Sequence, residues 1–127
     1  MTRLSGNVAI VTGASRGTGE AIARRLVEDG SSVILVDILD ELGEAVAKDL
    51  GERARYVRCD ITSEVDWISA IDVARSTFGP LTTLVNNAAI LHIAPIEHTS
   101  VEDYLRVSRV NELGTFLGIR PAIAPLR

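Results

Sequence analysis

The segment VAIVTGASRGTGEAIARRL, residues 8–26, holds the residue types and spacing with the clearest chemical potential. An apolar run enters a glycine-rich turn there and leaves it as a helix pattern. The free N–H groups and positive dipole end at the start of a helix bind phosphate, and glycines permit the close approach that this needs. The turn therefore predicts a cradle for a diphosphate. Its members are three glycines and two further donors: Gly13, Gly17, Gly19, Ser15 and Arg16.

The same turn also spells G-x-S-x-G from Gly13 to Gly17, the pattern of a nucleophile elbow in a serine hydrolase. A nucleophilic Ser15 needs a histidine base, an acid to orient that base, and oxyanion donors from an earlier loop. The turn follows the first apolar run, so nothing upstream supplies that loop. No pattern ties His92 or His98 to Ser15. We therefore favour the phosphate cradle over the elbow.

A second candidate is Asp37, which ends the second apolar run eighteen positions after Gly19. In a dinucleotide-binding fold, an acid at this place accepts hydrogen bonds from the adenosine ribose hydroxyls. Its charge would repel a 2′-phosphate, which favours NAD over NADP. Arg16 is a counter-argument, because a guanidinium near the ribose tolerates that phosphate. The alternative for Asp37 is a surface acid that caps the next helix.

Two kinds of segment alternate along the chain and must position these residues. Short apolar runs rich in β-branched residues suit strands covered on both faces, and they occupy residues 8–12, 33–36, 54–59 and 81–85. Amphipathic helix patterns follow each of them. The order β-α-β-α-β-α-β-α predicts a Rossmann-like, doubly wound parallel α/β sheet in three α/β/α layers, with strand order 3-2-1-4.

Capping residues set the expected helix boundaries. Asp40 is a candidate N-cap for the second helix, residues 62–63 open the third, and Thr99 or Ser100 opens the last. The expected core-facing stripes are Ile22, Ala23, Leu26 and Val27; Leu42, Ala45, Val46 and Leu50; Trp67, Ile71, Ala74 and Phe78; and Val107, Val110, Leu113 and Leu117.

Composition narrows the function classes. The chain has 127 residues, enough for one domain, and its net charge of −4 comes from scattered charges of both signs. No basic patch suggests nucleic acid or an anionic membrane as a partner. The single cysteine, Cys59, excludes an intrachain disulfide, and no apolar run is long enough for a signal peptide or a membrane span. We expect a cytoplasmic protein without a metal site.

Four motifs together resemble the short-chain dehydrogenase/reductase family over essentially the whole chain. They are TGASRGTG from Thr12 to Gly19, Asp37, the stretch CDIT at residues 59–62 and NNAA at residues 86–89. The last matches the family's NNAG with Ala89 in place of glycine, a mild departure. TFLGIR at residues 115–120 is most similar to hydroxysteroid dehydrogenases and 3-oxoacyl reductases.

The resemblance implies roles for further residues. Asp60 and Ile61 would contact the adenine, and Asn87 would line the cofactor site at the end of the fourth strand. Asn111 would belong to the catalytic group and help to place a water in the proton path. The plainer alternatives are a helix-capping acid for Asp60, a turn former for Asn87 and a solvent-facing side chain for Asn111.

The family's proton-transfer pair, a tyrosine four residues before a lysine, is absent from these residues. Asp60 stands four after Tyr56, Ser108 stands four after Tyr104, and Lys48 is the only lysine. We therefore interpret residues 1–127 as the dinucleotide-binding half of a dehydrogenase, with the catalytic and substrate half beyond the last helix. The implied function is NAD(P)-dependent hydride transfer between a nicotinamide and a small secondary alcohol or ketone, such as a hydroxysteroid or 3-hydroxyacyl compound. The alternative is a catalytically silent NAD-binding module.

The expected topology also predicts self-association. In the order 3-2-1-4 the fourth strand is an edge, and unpaired apolar edges invite pairing with another chain. We also expect Leu113, Phe116 and Leu117 to be partly exposed on the last helix. A homo-oligomer is the predicted state.

Overall fold

A computed structural model describes residues 3–127 and contains one parallel four-stranded sheet. Its strands are β1 (Val8–Thr12), β2 (Ser32–Asp37), β3 (Ala54–Arg58) and β4 (Thr83–Val85). They lie in the order β3-β2-β1-β4, all parallel, which confirms the predicted topology. β4 is shorter than expected, although the Thr82 amide already donates to the Val8 carbonyl oxygen at 2.9 Å.

Helices connect and follow the strands. They are α1 (Gly17–Glu28), α2 (Asp40–Leu50), α3 (Glu64–Thr77), α4 (Val101–Ser108) and α5 (Gly114–Leu126). A 3-10 turn, Ile96–His98, precedes α4, and a π-helical turn, Arg109–Leu113, joins α4 to α5.

The caps agree with the sequence only in part. The Ser63 side chain accepts a hydrogen bond from the Asp66 amide and caps α3 as expected. Ser100 rather than Thr99 caps α4. Asp40 is not the N-cap of α2 but its first helical residue, because the carboxylate is drawn to side chains of β3 instead of the helix N–H groups.

The sheet is covered on both faces, as the continuously buried strand β1 and the buried centre of β2 require, whereas the edge strand β3 exposes Arg55 and Arg58. One face packs against α1 and α2 through residues such as Val11 and Leu35, and the other packs against α3 and α5 through residues such as Ile10 and Ile34. This is the predicted three-layer α/β/α Rossmann-like arrangement. Its layers place the carboxyl ends of all four strands at one edge of the sheet, where ligands of such folds bind.

The inner face of α2 differs from the expected stripe. Leu42 and Ala45 are exposed, whereas Gly43 and Ala47 are buried. The reason is the Tyr56 ring of β3, which lies so close to Gly43 that a Cβ there would collide with it. The Tyr56 ring therefore packs against the face of α2 that carries Gly43, which has no side chain. A pattern of apolar residues cannot predict this face.

Trp67 is the centre of the other layer. Its side chain is fully buried, and Nε1 donates to the Ile61 carbonyl oxygen at 2.9 Å. The ring lies against Gly118, where a Cβ would collide with it, so α5 sits close to α3. Leu117 is consequently buried, which corrects the expectation that it would be partly exposed.

Two neighbours of Leu117 on the same helical stretch do match that expectation. Leu113 is 42% exposed and Phe116 is 55% exposed.

Candidate cofactor site

The carboxyl ends of the strands border a cavity of about 410 Å³. It is walled by the β1–α1 turn, the β2–α2 turn, the residues after β3, and the segment after β4. Seven of the nine predicted cofactor-binding residues line it: Gly13, Arg16, Gly17, Asp37, Asp60, Ile61 and Asn87. The other two, Ser15 and Gly19, lie behind the wall.

A buried threonine joins the two central walls. Thr12 Oγ1 accepts hydrogen bonds from the amides of Asn87 at 3.0 Å and Ala88 at 2.9 Å, and it lies 3.4 Å from the Val85 carbonyl oxygen, to which it donates. The Asn87 amide group donates in return to the carbonyl oxygens of Thr12 at 3.1 Å and Gly13 at 3.4 Å. In the sequence, Thr12 stands out only as the first residue of the TGASRGTG motif. A lone hydroxyl ending an apolar strand was the signal for this contact.

The three glycines of the turn do different things. Gly13 and Gly17 have left-handed φ angles of +65° and +59°, which side chains disfavour. A Cβ on Gly13 would lie 2.9 Å from Asn87 Nδ2, while one on Gly17 would meet nothing within 4 Å. Gly19 is buried within α1, where a Cβ would collide with the Gly13 carbonyl oxygen. Gly19 therefore lets the helix pack onto the turn, and Gly17 leaves the start of the helix open.

This open helix start fits an anion. The first N–H groups of a helix have no acceptors within it, and its dipole is positive there. Gly17 and Thr18 are exposed and line the cavity, and Arg16 is exposed beside them. The donor set of bare N–H groups and a guanidinium suits a diphosphate.

Asp37 is held by the backbone on both sides. Its Oδ1 accepts from the Ile38 amide at 2.7 Å and its Oδ2 from the Ser15 amide at 3.1 Å. The residue that precedes α2 as its cap is Leu39, so Asp37 is not the helix cap that sequence reasoning left open. Its carboxylate lies at the cavity wall in a fixed orientation.

Ser15 points away from the cavity. The residue is 2% exposed, and its hydroxyl donates to the Leu39 carbonyl oxygen at 3.3 Å. Its contribution to the site is the amide that holds Asp37, so a contact of the side chain with a diphosphate gains no support. The nucleophile elbow is not supported either, because among residues 3–127 the Ser15 hydroxyl is bonded to the Leu39 carbonyl oxygen and to no histidine.

The wall after β3 carries Asp60 and Ile61. Asp60 Oδ1 accepts from the Thr62 hydroxyl at 2.7 Å and from the Thr62 amide at 2.9 Å. These hydrogen bonds hold the pKa of Asp60 below its usual value, and the one from the Thr62 hydroxyl has the larger effect. The carboxylate therefore stays ionised and can accept hydrogen bonds. Ile61 is buried and presents an apolar neighbour.

Cys59 precedes Asp60 in the same wall. Burial, with the nearby charges of Asp66 and Asp60, raises the pKa of the Cys59 thiol to about 12. The group is therefore a neutral packing residue at neutral pH.

Asn111 lies outside this cavity but fixes its far wall. It sits in the π-helical turn, and its Oδ1 accepts from the Ile90 amide at 2.9 Å while its Nδ2 donates to the Ile90 carbonyl oxygen at 2.9 Å. Both polar ends of the side chain are used, so it is not simply facing solvent. Ile90 lines the cavity, and Asn111 thus anchors the segment that follows β4.

The described residues, 3–127, also bear on metal binding and membrane insertion. No three His, Cys, Asp or Glu side chains there are grouped as ligands for a metal ion. In that same range, none of the helices has the length and apolar character to cross a membrane.

Comparison with known proteins agrees with this geometry. The chain is 46% identical over 125 residues to a 3-alpha-(or 20-beta)-hydroxysteroid dehydrogenase of Mycobacterium tuberculosis, covering 98% of this chain and 48% of that protein. A 3-ketoacyl-(acyl-carrier-protein) reductase of Brucella melitensis, solved with NADH, superposes with a TM-score of 0.93 at 38% identity, covering 95% of this chain and 50% of that one. A blue fluorescent protein from a metagenomic library, solved with NADPH, gives a TM-score of 0.88 at 34% identity, covering 96% of this chain and 52% of that one.

The chain spans about half the length of the curated relatives that it matches. The family model for short chain dehydrogenase matches residues 7–127. With the cavity, the strand order and the nicotinamide cofactors of its structural neighbours in agreement, the chain belongs to the short chain dehydrogenase family.

Proposed function

We propose that this chain is the cofactor-binding part of an NAD(P)-dependent oxidoreductase that transfers hydride between a nicotinamide and a small secondary alcohol or ketone. The observation that carries the proposal is the cavity at the carboxyl edge of the sheet, where an open helix start and two carboxylates face one space. A dinucleotide needs that combination, because its diphosphate is anionic and its ribose and adenine present hydrogen-bond donors.

The residues divide the work of binding. The α1 start and Arg16 hold the diphosphate, Asp37 accepts from the ribose hydroxyls, and Asp60 accepts from the adenine amino group beside Ile61. Asn87 keeps the β1–α1 turn attached to the end of β4. The nicotinamide, when bound, supplies or accepts the hydride.

Asn111 is proposed as a member of the catalytic group, which helps to place a water in the proton path. Its support is its contact with both polar groups of Ile90, at 2.9 Å each, next to the cavity. The proton donor of the reaction is not among these residues, since neither tyrosine has a lysine four positions later.

NAD is proposed as the preferred cofactor. Asp37 cannot turn away from the cavity without losing hydrogen bonds from two amides, so its charge stays where a 2′-phosphate would lie. Calorimetric titration tests this: wild type should bind NAD more tightly than NADP, and Asp37→Asn should narrow the difference. Tighter binding of NADP by the wild type would contradict it.

The substrate class proposed is a hydroxysteroid or a 3-hydroxyacyl compound. Its support is the name of the mycobacterial relative and that of the Brucella reductase. Oxidation of a panel of such alcohols with NAD tests the activity. Oxidation of any of them would contradict the second candidate, a catalytically silent NAD-binding module, whereas binding of NAD without oxidation is expected of both candidates, since the proton donor is not among these residues.

Self-association in the cytoplasm is the remaining proposal. α5 exposes Phe116, Ile119 and Ile123, which are 55%, 44% and 44% exposed, and α4 exposes Tyr104 at 64%. Phe116→Glu with Ile123→Glu should shift sedimentation toward the monomer. A wild-type chain that already sediments as a monomer would contradict it.

A further inference from the structure

Three side chains that contact the β2–α2 turn are not part of the cavity lining: Asp40, Tyr56 and Arg58. Arg58 Nη1 donates to the Ile38 carbonyl oxygen and to Asp40 Oδ2, both at 2.9 Å. The Tyr56 hydroxyl lies 2.6 Å from Asp40 Oδ1 and 2.9 Å from the Asp37 carbonyl oxygen. A phenol has one hydrogen, so these two acceptors share it. Sequence patterns assigned none of these three residues to the site.

The position of the Arg58 guanidinium matters because it lies close to Asp37, the residue proposed to bind the ribose. Arg58 is the sheet partner of Asp37 at the carboxyl ends of β3 and β2. Ile38, whose carbonyl oxygen it contacts, lines the cavity. Arg58 itself is not part of the lining. The positive charge of Arg58 therefore lies next to Ile38, the residue that follows Asp37, which would meet the adenosine ribose.

Asp40 accounts for where that charge points. Its carboxylate pairs with Arg58 and draws the guanidinium toward the start of α2. The Tyr56 hydroxyl and then Arg58 hold the pKa of Asp40 below its usual value, so the carboxylate stays charged at neutral pH. Arg58 is 62% exposed at its side chain, and within residues 3–127 its guanidinium is bonded to this partner and to one carbonyl oxygen.

We propose that Asp40 is a positioning residue for cofactor selectivity, which acts by holding Arg58 away from the ribose end of the cavity. A guanidinium near the ribose accommodates the 2′-phosphate of NADP. With Asp40 in place, the 2′ position meets the Asp37 carboxylate, and the Arg58 guanidinium is held at Asp40. The inference rests on the proposed dinucleotide function and adds to it the residue outside the cavity that keeps NADP disfavoured.

The experiment compares the affinities of NAD and NADP for the 127-residue chain by titration calorimetry. Asp40→Asn removes the charge with little change of shape, and Asp40→Ser is a second variant with a side chain that helix starts favour. Both should lower the ratio of the NADP to the NAD dissociation constant about fivefold, as expected for one unpaired charge at a surface. A residue that only supports the fold would weaken both cofactors equally and leave this ratio unchanged.

Two further variants test whether Asp40 affects cofactor selectivity through Arg58. Asp49→Asn is the matched control, because Asp49 lies on the same helix and pairs with Arg24 at 2.6 Å, and it should not change the ratio. In an Arg58→Gln background, Asp40→Asn should no longer change it. The inference is overturned if the Asp40 variants leave the ratio unchanged or if their effect persists without Arg58. If wild type binds neither cofactor, the proposed function fails first, and the inference fails with it.

Discussion

The two walls of the cavity are built in different ways. The wall formed by the turns after β1, β2 and β3 stands on strands whose central residues are buried, and its side chains are tied to backbone groups at several points. The opposite wall, after β4, continues into the 3-10 turn, α4 and the π-helical turn, and none of these three described elements has a buried residue.

This difference shows which part of the site is preorganised. The first wall, formed by the turns after β1, β2 and β3, is fixed by packing that the chain provides itself. The wall beyond Ile90 is held by the Asn111 side chain and by partly buried apolar contacts such as those of Val110. Segments with few buried apolar contacts open at low free-energy cost, so we expect the second wall to be the mobile one.

The largest loss of stability and of NAD binding should come from overpacking the first wall. Gly19→Ala places a Cβ against the Gly13 carbonyl oxygen and 2.6 Å from Asn87 Nδ2. We expect the free energy of unfolding to fall by about 2–3 kcal/mol, as overpacking does, and NAD binding to be lost. Urea unfolding and calorimetric titration measure both. Gly17→Ala, with open space around it, should cost only about 1–2 kcal/mol of left-handed strain. Equal losses in the two variants would contradict this account.

The next effect concerns the contact between the walls. Thr12→Val leaves the Ala88 amide without its acceptor and leaves the Asn87 amide with the Val85 carbonyl oxygen at 3.2 Å, which should destabilise the chain by about 2 kcal/mol and weaken NAD binding. Thr82→Val is the control, because its hydroxyl joins the same two strands at their other ends through the Val8 amide. That variant should lose stability and keep its NAD affinity. Unchanged affinity in Thr12→Val would refute the role of this contact.

A smaller effect is expected in the second wall. Asn111→Ala removes both hydrogen bonds to Ile90 and should cost about 1 kcal/mol. Amide hydrogen exchange should then quicken at Ile90 and leave the Asp37 region unchanged. Asn86→Ala, at an exposed position before the same segment, is the control. Faster exchange in both walls would mean that they are not independent.

The smallest effect is a pH dependence in the first wall. Burial raises the pKa of Cys59 to about 12 from 9.0, so the unfolded chain loses this proton first as the pH rises. The free energy of unfolding therefore keeps the full contribution of the neutral Cys59 thiol below pH 9 and loses it progressively above that pH. The loss is under about 1 kcal/mol at about pH 9.5. Unfolding of wild type and Cys59→Ala across this range measures the difference. Parallel curves for the two proteins would show that the thiol does not contribute.

The sequence predicts the frame of this molecule well and its contacts less well. Strand order and layers follow from the alternation of apolar runs and helix patterns, because right-handed crossovers leave few alternatives. Motif positions likewise placed Asp37, Asp60 and Asn87 at the cavity. Each of these predictions depends only on where a strand ends.

The sequence could not predict the features that depend on which way a side chain points. Ser15 turns inward to Leu39, and the Thr12 hydroxyl joins two walls that are more than 70 residues apart in the chain. The expected inner face of α2 was wrong because the Tyr56 ring occupies the space beside Gly43. These side-chain orientations depend on contacts between residues that are distant in the sequence and are brought together only by the folded sheet.

The burial of Trp67 between the cavity floor and α5 has a practical consequence. It is the only tryptophan in the chain, its ring nitrogen is bonded to the Ile61 carbonyl oxygen, and its ring touches Gly118. Its intrinsic fluorescence therefore reports on two events without any added label. Detachment of α5 should let water reach the indole and shift its emission to the red, whereas a ligand that contacts Ile61 in the cavity should change the emission intensity.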